Sequence, residues 1–294
     1  MWAKNRFSRM GEFVVKAQEL GFTHIEANAS LSPQMVDELI ETSVPISSIH
    51  SPCPARLSSR GIPATNLALS SLDENERSEA IDFAKETIDL ASRVGARAVV
   101  IHLGEVPIDL SLQDKLYWLC QQGQSFSKEY SDIREQLVFE RSSKASFHVD
   151  AAEESLEELG QYSQQRGIML GLETRFYFHE IPSIDEMGRL LSGAEKGSVG
   201  YWHDVGHAEV QQRLGFAPHE EWLLRFKNRL IGVHLHDVLG ISDHRVPGRG
   251  EVNWSMIAKY LPPGVIRVCE IGEWNKEEYL PGAIPFLQEK GILT

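Results

Sequence analysis

Residues 77–103 read RSEAIDFAKETIDLASRVGARAVVIHL. Ile81, Ala84, Ile88 and Ala91 recur at helical spacing on one stripe, and Gly95 ends the run. ARAVVIHL follows at once, an apolar, β-branched stretch of strand length that closes on a histidine. The same alternation extends in both directions. Strands are expected at 23–29 (THIEANA), 45–51 (PISSIHS), 96–103, 168–174 (IMLGLET), 199–205 (VGYWHDV), 230–238 (LIGVHLHDV) and 264–272 (GVIRVCEIG), with helix-patterned segments between them. A chain built this way forms a parallel sheet covered by helices. No G-x-G-x-x-G or G-x-x-x-x-G-K-[ST] follows a strand, which disfavours an open dinucleotide-binding sheet, so an α/β fold of the closed (β/α)8 TIM-barrel type is expected.

Helix-like FVVKAQELGF begins at residue 13 and leaves too little ahead of it for a regular strand, so the first barrel strand is expected to be irregular or missing. Residues 1–294 are expected to form one barrel domain. Its longest interruption, from 104 to about 150, contains the helix-like run YSDIREQLVFERSSK and is followed by VDAAEESLEELGQYSQQRG. A long connection after a barrel strand shapes the active-site face, so this insertion is expected to border the site as a lid.

Composition narrows the partners. The chain has 294 residues, 42% hydrophobic and 24% charged, enough for a large core. Its 29 Lys and Arg against 42 Asp and Glu give a net charge of -13, which disfavours nucleic acid. The densest basic cluster, Arg225, Lys227 and Arg229, precedes a strand and is expected on the opposite, N-terminal face. No apolar run reaches the roughly 18 residues of a membrane span, and the first residues lack the apolar core of a secretory signal. Three cysteines, Cys53, Cys120 and Cys269, form no C-x-x-C pair, which suits a reducing, cytoplasmic setting.

Polar residues gather where the apolar strands end: His50, His102, Glu173, Asp204, His234 and Glu270, with His207 and His244 just beyond two of them. A barrel interior is filled by aliphatic side chains, so carboxylates and imidazoles in its mouth must be paired or bind metal. The two-residue period of a strand turns His234 and His236 to one side and Asp237 to the other, and sends His203 toward the helices. Gly206 is expected to let His207 curl back beside Asp204.

These strand ends, I-H-S at His50, I-H-L-G at His102, G-L-E-T at Glu173, D-V-G-H at Asp204 and His207, V-H-L-H-D at His234, D-H-R-V-P-G-R-G at His244 and C-E-I-G at Glu270, resemble in order those of the xylose-isomerase-like barrel superfamily. That superfamily includes sugar and sugar-phosphate isomerases and epimerases and the endonuclease IV group. In the endonuclease IV group, the resemblance implies a cluster of zinc ions with Glu173 bridging. In the isomerases and epimerases it implies one divalent ion held by Glu173, Asp204, His234 and Glu270, with the two glutamates moving protons. The sequence departs from the endonuclease pattern at Ser242, where an Asp belongs, with Asp243 one place on, and from many epimerases in that Arg245 is shifted by one from the position of His244.

The surplus of histidines points to zinc or manganese, with iron also compatible, and to two or three ions per chain. The inner ion is assigned to Glu173, Asp204, His234 and Glu270, a second to His50 and His102 through Glu173, and a weaker third to His207 and His244. His236 and Glu26 are expected to orient these ligands. On that count the expected function is a metal-dependent hydrolase of a small phosphoester or phosphodiester, with Glu173 and Glu270 as catalytic residues. The alternative is a sugar or sugar-phosphate isomerase or epimerase using the same two glutamates. An apurinic-site endonuclease and a non-catalytic metal-binding protein come third. Arg175, Arg245 and Arg249 are expected to meet an anionic substrate, and Phe176, Tyr177 and Phe178 to wall the pocket.

Overall fold

A computed structural model describes residues 2–195 and 197–293. Its strands are β1 (Ile25–Ala27), β2 (Ile46–His50), β3 (Ala98–Ile101), β4 (Gly104–Glu105), β5 (Met169–Glu173), β6 (Glu180–Ile181), β7 (Val199–Asp204), β8 (Leu230–Leu235), β9 (Asp237–Leu239), β10 (Ser242–Arg245) and β11 (Ile266–Cys269). Seven of them run parallel in the order β1-β2-β3-β5-β7-β8-β11 and curl into a nearly closed barrel surrounded by helices. All seven strands expected from the sequence are present. The expected 230–238 strand stops at Leu235, because the chain then leaves the barrel in an antiparallel hairpin of β9 with β10.

No strand precedes helix α1 (Met10–Glu19) among the described residues. Residues 2–6 make turns instead, and the Trp2 ring packs with Val246, Ile271 and Leu280 while its indole N–H donates to the Asn275 carbonyl at 3.1 Å. Strands β1 and β11 therefore share no backbone pairing. A cavity of about 660 Å³ lies against them, walled also by Phe13 of α1 and by Leu20, which follows that helix.

The barrel interior is packed, not hollow. Trp202 of β7 is fully buried among Ala98, Val100 and Ile266, and its ring lies 5.2 Å from that of His234, directly beneath the candidate site. Gly171 and Gly232 on the two neighbouring strands make room for it, since a Cβ at Gly232 would come within 2.0 Å of the indole. Alternation then turns Tyr201 and His203 outward. His203 Nδ1 sits 2.7 Å from the Tyr201 hydroxyl and its Nε2 3.1 Å from His219 of α8 (His219–Phe226), the core role expected for it.

Helix α3 (Glu74–Val94) has the expected stripe and is stopped by Gly95, whose φ of 74° is left-handed. The long interruption differs from the expectation in one respect. After α4 (Leu110–Gln121), residues 128–164 form a single helix of 37 residues, α5 (Lys128–Gln164). The two runs read as separate helices are continuous because no Gly or Pro lies between them, and Leu137, Arg141, Ala145, Val149 and Ala152 sustain one buried stripe. Residue 150 is thus not a boundary.

Arg141 on that stripe is buried and grips Glu186 of α6 (Ile184–Gly193) with both terminal nitrogens at 2.7 Å, and also donates to the Glu180 carbonyl at 3.1 Å. Burial alone would raise the Glu186 carboxyl, but the Arg141 hydrogen bonds outweigh it and hold the group below its ordinary value of 4.5. Removing one partner leaves the other charge buried and unpaired. Glu186→Gln is therefore expected to cost about 3 kcal/mol in urea unfolding. Because the folded value is depressed, the pair's pH-dependent contribution is complete above the ordinary carboxylate range and is lost as pH falls through the folded value, so wild type and variant should converge in stability only in acid.

Candidate metal centre

The strand period brings the predicted residues together. Glu26, His50, His102, Glu173, Asp204, His234 and Glu270 come from the C-terminal ends of the seven barrel strands or the residue after them. Donor atoms of Glu173, Asp204, His234 and Glu270 lie within 4.8 Å of one another, as do those of His50, His102 and Glu173. Glu173, Asp204 and His234 are buried.

His234 shows what the inner set is built for. Its Nε2 lies 2.9 Å from Glu26, while Nδ1 faces Glu173 at 2.6 Å, Glu270 at 3.2 Å and Asp204 at 3.5 Å. Glu26 is itself held by the Ser48 hydroxyl at 2.6 Å. An imidazole nitrogen aimed at three carboxylates needs positive charge between them. Burial would depress the His234 imidazole, but Glu270, Glu26, Asp204 and Glu173 hold it well above its ordinary value. A proton on Nδ1 and a divalent cation ligated by Nδ1 are two answers to the same field, and two or three carboxylates with one imidazole suit zinc, manganese or iron.

The remaining ligands are oriented from behind. Asp204 caps α7 (Val205–Arg213), accepting from the His207 backbone N–H at 2.7 Å, and it lies 2.9 Å from His236 Nε2. The other His236 nitrogen accepts from the His244 backbone N–H at 2.8 Å. Both ring nitrogens are thus engaged, so His236 orients Asp204 and is not a free ligand, although it lies close to His207 and His244. Gly206 serves this ring: it lies inside α7, and a Cβ there would fall 2.0 Å from the His236 imidazole. His207 does come back beside Asp204, its Nδ1 3.6 Å from the carboxylate, but through a helical turn, and Gly206 answers to the His236 ring.

His207 Nδ1 donates to the Thr174 carbonyl at 2.9 Å, and Nε2 faces Asp243 at 3.7 Å. His244 lies 3.0 Å from Asp243 and 3.7 Å from Glu270, whose negative charges outweigh burial and raise it to about 10. Its φ of 50° is left-handed, a strained conformation for a residue with a side chain. Asp243 is not among the expected site residues, because the resemblance puts the acid one place earlier, at Ser242.

The arginines expected to meet an anion have other partners. Arg175 is buried, with Nη1 2.5 Å from Glu173 Oε2 and Nη2 2.5 Å from Glu180, which burial would raise but Arg175 holds below its ordinary value. Arg245 lies over the Trp274 ring at 5.0 Å and Arg249 over Tyr279 at 4.1 Å. The same Glu173 oxygen lies 2.6 Å from His102, which burial and the nearby Arg175 depress to about 4, leaving it neutral. Phe176 packs against His207 at 5.6 Å and meets Tyr117 of α4, so the insertion borders this side of the site, whereas Phe178 stacks on Phe216 away from it. Arg229, from the basic cluster, donates to the Val199 carbonyl at the start of β7, on the opposite end of the barrel.

A cation that binds the folded chain alone stabilises it by about 2.7 kcal/mol at a hundredfold excess over Kd. Manganese or zinc added to chelator-treated protein is expected to raise Tm by roughly 5 °C, and Asp204→Asn to lose most of that rise. An unchanged melting curve for the wild type would count against the centre.

The profile of the xylose isomerase-like TIM barrel family matches residues 14–290. Among curated proteins, the chain is 25% identical over 187 residues to an uncharacterised protein of Sinorhizobium fredii, a match covering 63% of this chain and 50% of that protein. It is 22% identical over 206 residues to one of Methanocaldococcus jannaschii, covering 68% and 63%. The matches thus span half to under two thirds of the length of these relatives. Among solved structures, a D-tagatose 3-epimerase-like protein superposes with a TM-score of 0.68 at 19% identity, covering 96% of this chain and 93% of that one. The 3-keto-D-glucoside 4-epimerase of E. coli gives 0.67 at 14% identity over 96% and 95%. The D-psicose 3-epimerase of Clostridium cellulolyticum gives 0.66 at 15% over 99% and 97%. The expectation of a phosphoester hydrolase is corrected by this set, whose members are sugar epimerases or epimerase-like, while His236 has the orienting role expected for it. The chain is an enzyme-type barrel that belongs to the xylose isomerase-like TIM barrel family.

Proposed function

We propose that this chain is a divalent-metal-dependent epimerase or isomerase of a small keto-sugar, with Glu173 and Glu270 as the proton-transferring carboxylates. The observation that carries the reading is the pair of glutamates beside one imidazole nitrogen: His234 Nδ1 lies 2.6 Å from Glu173 and 3.2 Å from Glu270. The sugar epimerases among the similar folds support the same choice.

One ion suits the charges better than two or three. Glu173, Asp204, His234 and Glu270 form one set of donors, and the Arg175 guanidinium beside it is shared between Glu173 and Glu180. A second ion between His50, His102 and Glu173 would share the carboxylate oxygen that Arg175 already holds at 2.5 Å. Manganese and zinc both fit the inner donors, with iron compatible. The chemistry such an ion supplies is polarisation of neighbouring carbonyl and hydroxyl oxygens, which acidifies the C–H between them.

The chain's residues do the rest. Glu270 or Glu173 takes the carbon-bound proton, and the bonding pair passes toward the carbonyl oxygen. The other glutamate, carrying a proton taken up from solvent, delivers it to the opposite face of that carbon and inverts it, whereas delivery to the neighbouring carbon, with the hydroxyl proton passing to the former carbonyl oxygen, moves the carbonyl. Arg175, His102 and Glu26 hold these groups in place, and the α4 side of the site, through Tyr117 and Phe176, screens it from water. Three free thiols fit a cytoplasmic enzyme.

In D2O with manganese and a panel of free ketoses and keto-glycosides, solvent deuterium is expected at the carbon beside the carbonyl, accompanied by an epimer or isomer. Glu270→Gln and Glu173→Gln should each slow the exchange by about a hundredfold or more. No exchange from any member of the panel with the metal-loaded wild type would sink the reading.

A further inference from the structure

A cavity of about 540 Å³ opens beside the centre, with His50, His102, His244 and Glu270 in its wall. That volume is in the range of sites that enclose drug-sized ligands. The rest of its wall has a different character. Leu67 and Leu69, from the connection between β2 and α3, and Ala80, Phe83 and Ala84, from α3 itself, give it a continuous apolar side. Leu67 and Phe83 are only half buried, so apolar surface there stays in contact with water until something covers it.

Charge on the same wall is sparse. Among the described residues Lys4 is the one Lys or Arg lining the cavity, and it faces Glu273 at 4.0 Å. Recognition of a phosphate draws on several charge-assisted donors, above all the fork of an arginine. Here Arg175, Arg245 and Arg249 lie outside the lining, one bound to carboxylates and two stacked on aromatic rings.

We propose that the substrate is an uncharged keto-sugar carrying an apolar arm, such as an alkyl or aryl aglycone, with the sugar at the histidine side of this cavity and the arm against Leu67, Leu69 and Phe83. The inference rests on the keto-sugar reading above and narrows it: no arginine fork on this wall is placed to grip a phosphate, and a bare sugar leaves the apolar side uncovered.

Calorimetric titration of the manganese-loaded protein with methyl and n-hexyl β-D-glucoside, below the micellar range, isolates the arm from turnover. The hexyl compound is expected to bind at least tenfold more tightly, since it adds five methylenes to the same sugar. Phe83→Ala and Leu67→Ser should each reduce the hexyl-to-methyl ratio by threefold or more, with each variant's melting curve recorded; Leu67 lies outside any helix, so its variant keeps the test open if the helix substitution fails to fold. Equal affinity for the two glucosides, or tighter binding of glucose 6-phosphate than of either, overturns the inference even if deuterium exchange succeeds. A hexyl preference without deuterium exchange from any keto-sugar upholds the apolar subsite and removes the epimerase reading instead.

Discussion

A carboxylate removed from water costs several kcal/mol unless charge and hydrogen bonds replace its hydration, and in this chain that constraint is concentrated on Glu173. The side chain is buried at the end of β5, where Arg175, His102 and His234 all come within 2.6 Å of its two oxygens. Each of those partners is held in turn. Arg175 is fixed by Glu180, Glu180 sits on the small β4–β6 ladder, and the Glu180 carbonyl accepts from Arg141 in the middle of α5. The 37-residue helix is thereby tied to the candidate metal centre through three polar steps, each buried or partly so. His234 is fixed from the other side by Glu26 and Ser48 of the first two strands. Most of the polar structure in the barrel mouth can be read as a response to one buried charge.

The fold was legible because its signals are local. Apolar runs such as AVVI at 98–101 and VGYWHD at 199–204 lie between capped helices, and the polar residues that close them appear in the order the barrel requires. The period of two also predicted which way His203, His234 and His236 would face. What escaped the reading was pairwise. Arg175 stands two residues from Glu173 and so shares its side of the strand, a spacing that could have suggested an ion pair instead of a substrate contact. Asp243 was hidden by the hairpin of β9 with β10, which is set by backbone pairing and carries the chain out of the barrel after Leu235. A count of histidines does not by itself choose between hydrolase and epimerase, because an imidazole has two nitrogens and only the folded chain tells how both are used. Gly206 carries the same lesson, since its lack of a side chain answers to a ring thirty residues away.

The gap left by the absent strand gives the barrel a mechanical character that a closed one lacks. A complete ring of strands spreads any strain around its circumference, whereas a split ring opens at its slit. Here the slit runs between β1 and β11, with no backbone pairing across it. Side chains span it at one level: Glu26 from β1 and Glu270 after β11 both reach His234 on β8, on its two ring nitrogens. His234 is therefore the clasp of the ring, and any cation seated at its Nδ1 would pull on the clasp. Occupancy of the centre would then be coupled to closure of the barrel. The amides of β1 and β11 are where that coupling would be felt as a change in protection from solvent exchange, while β5 and β7, paired on both sides, would barely register it.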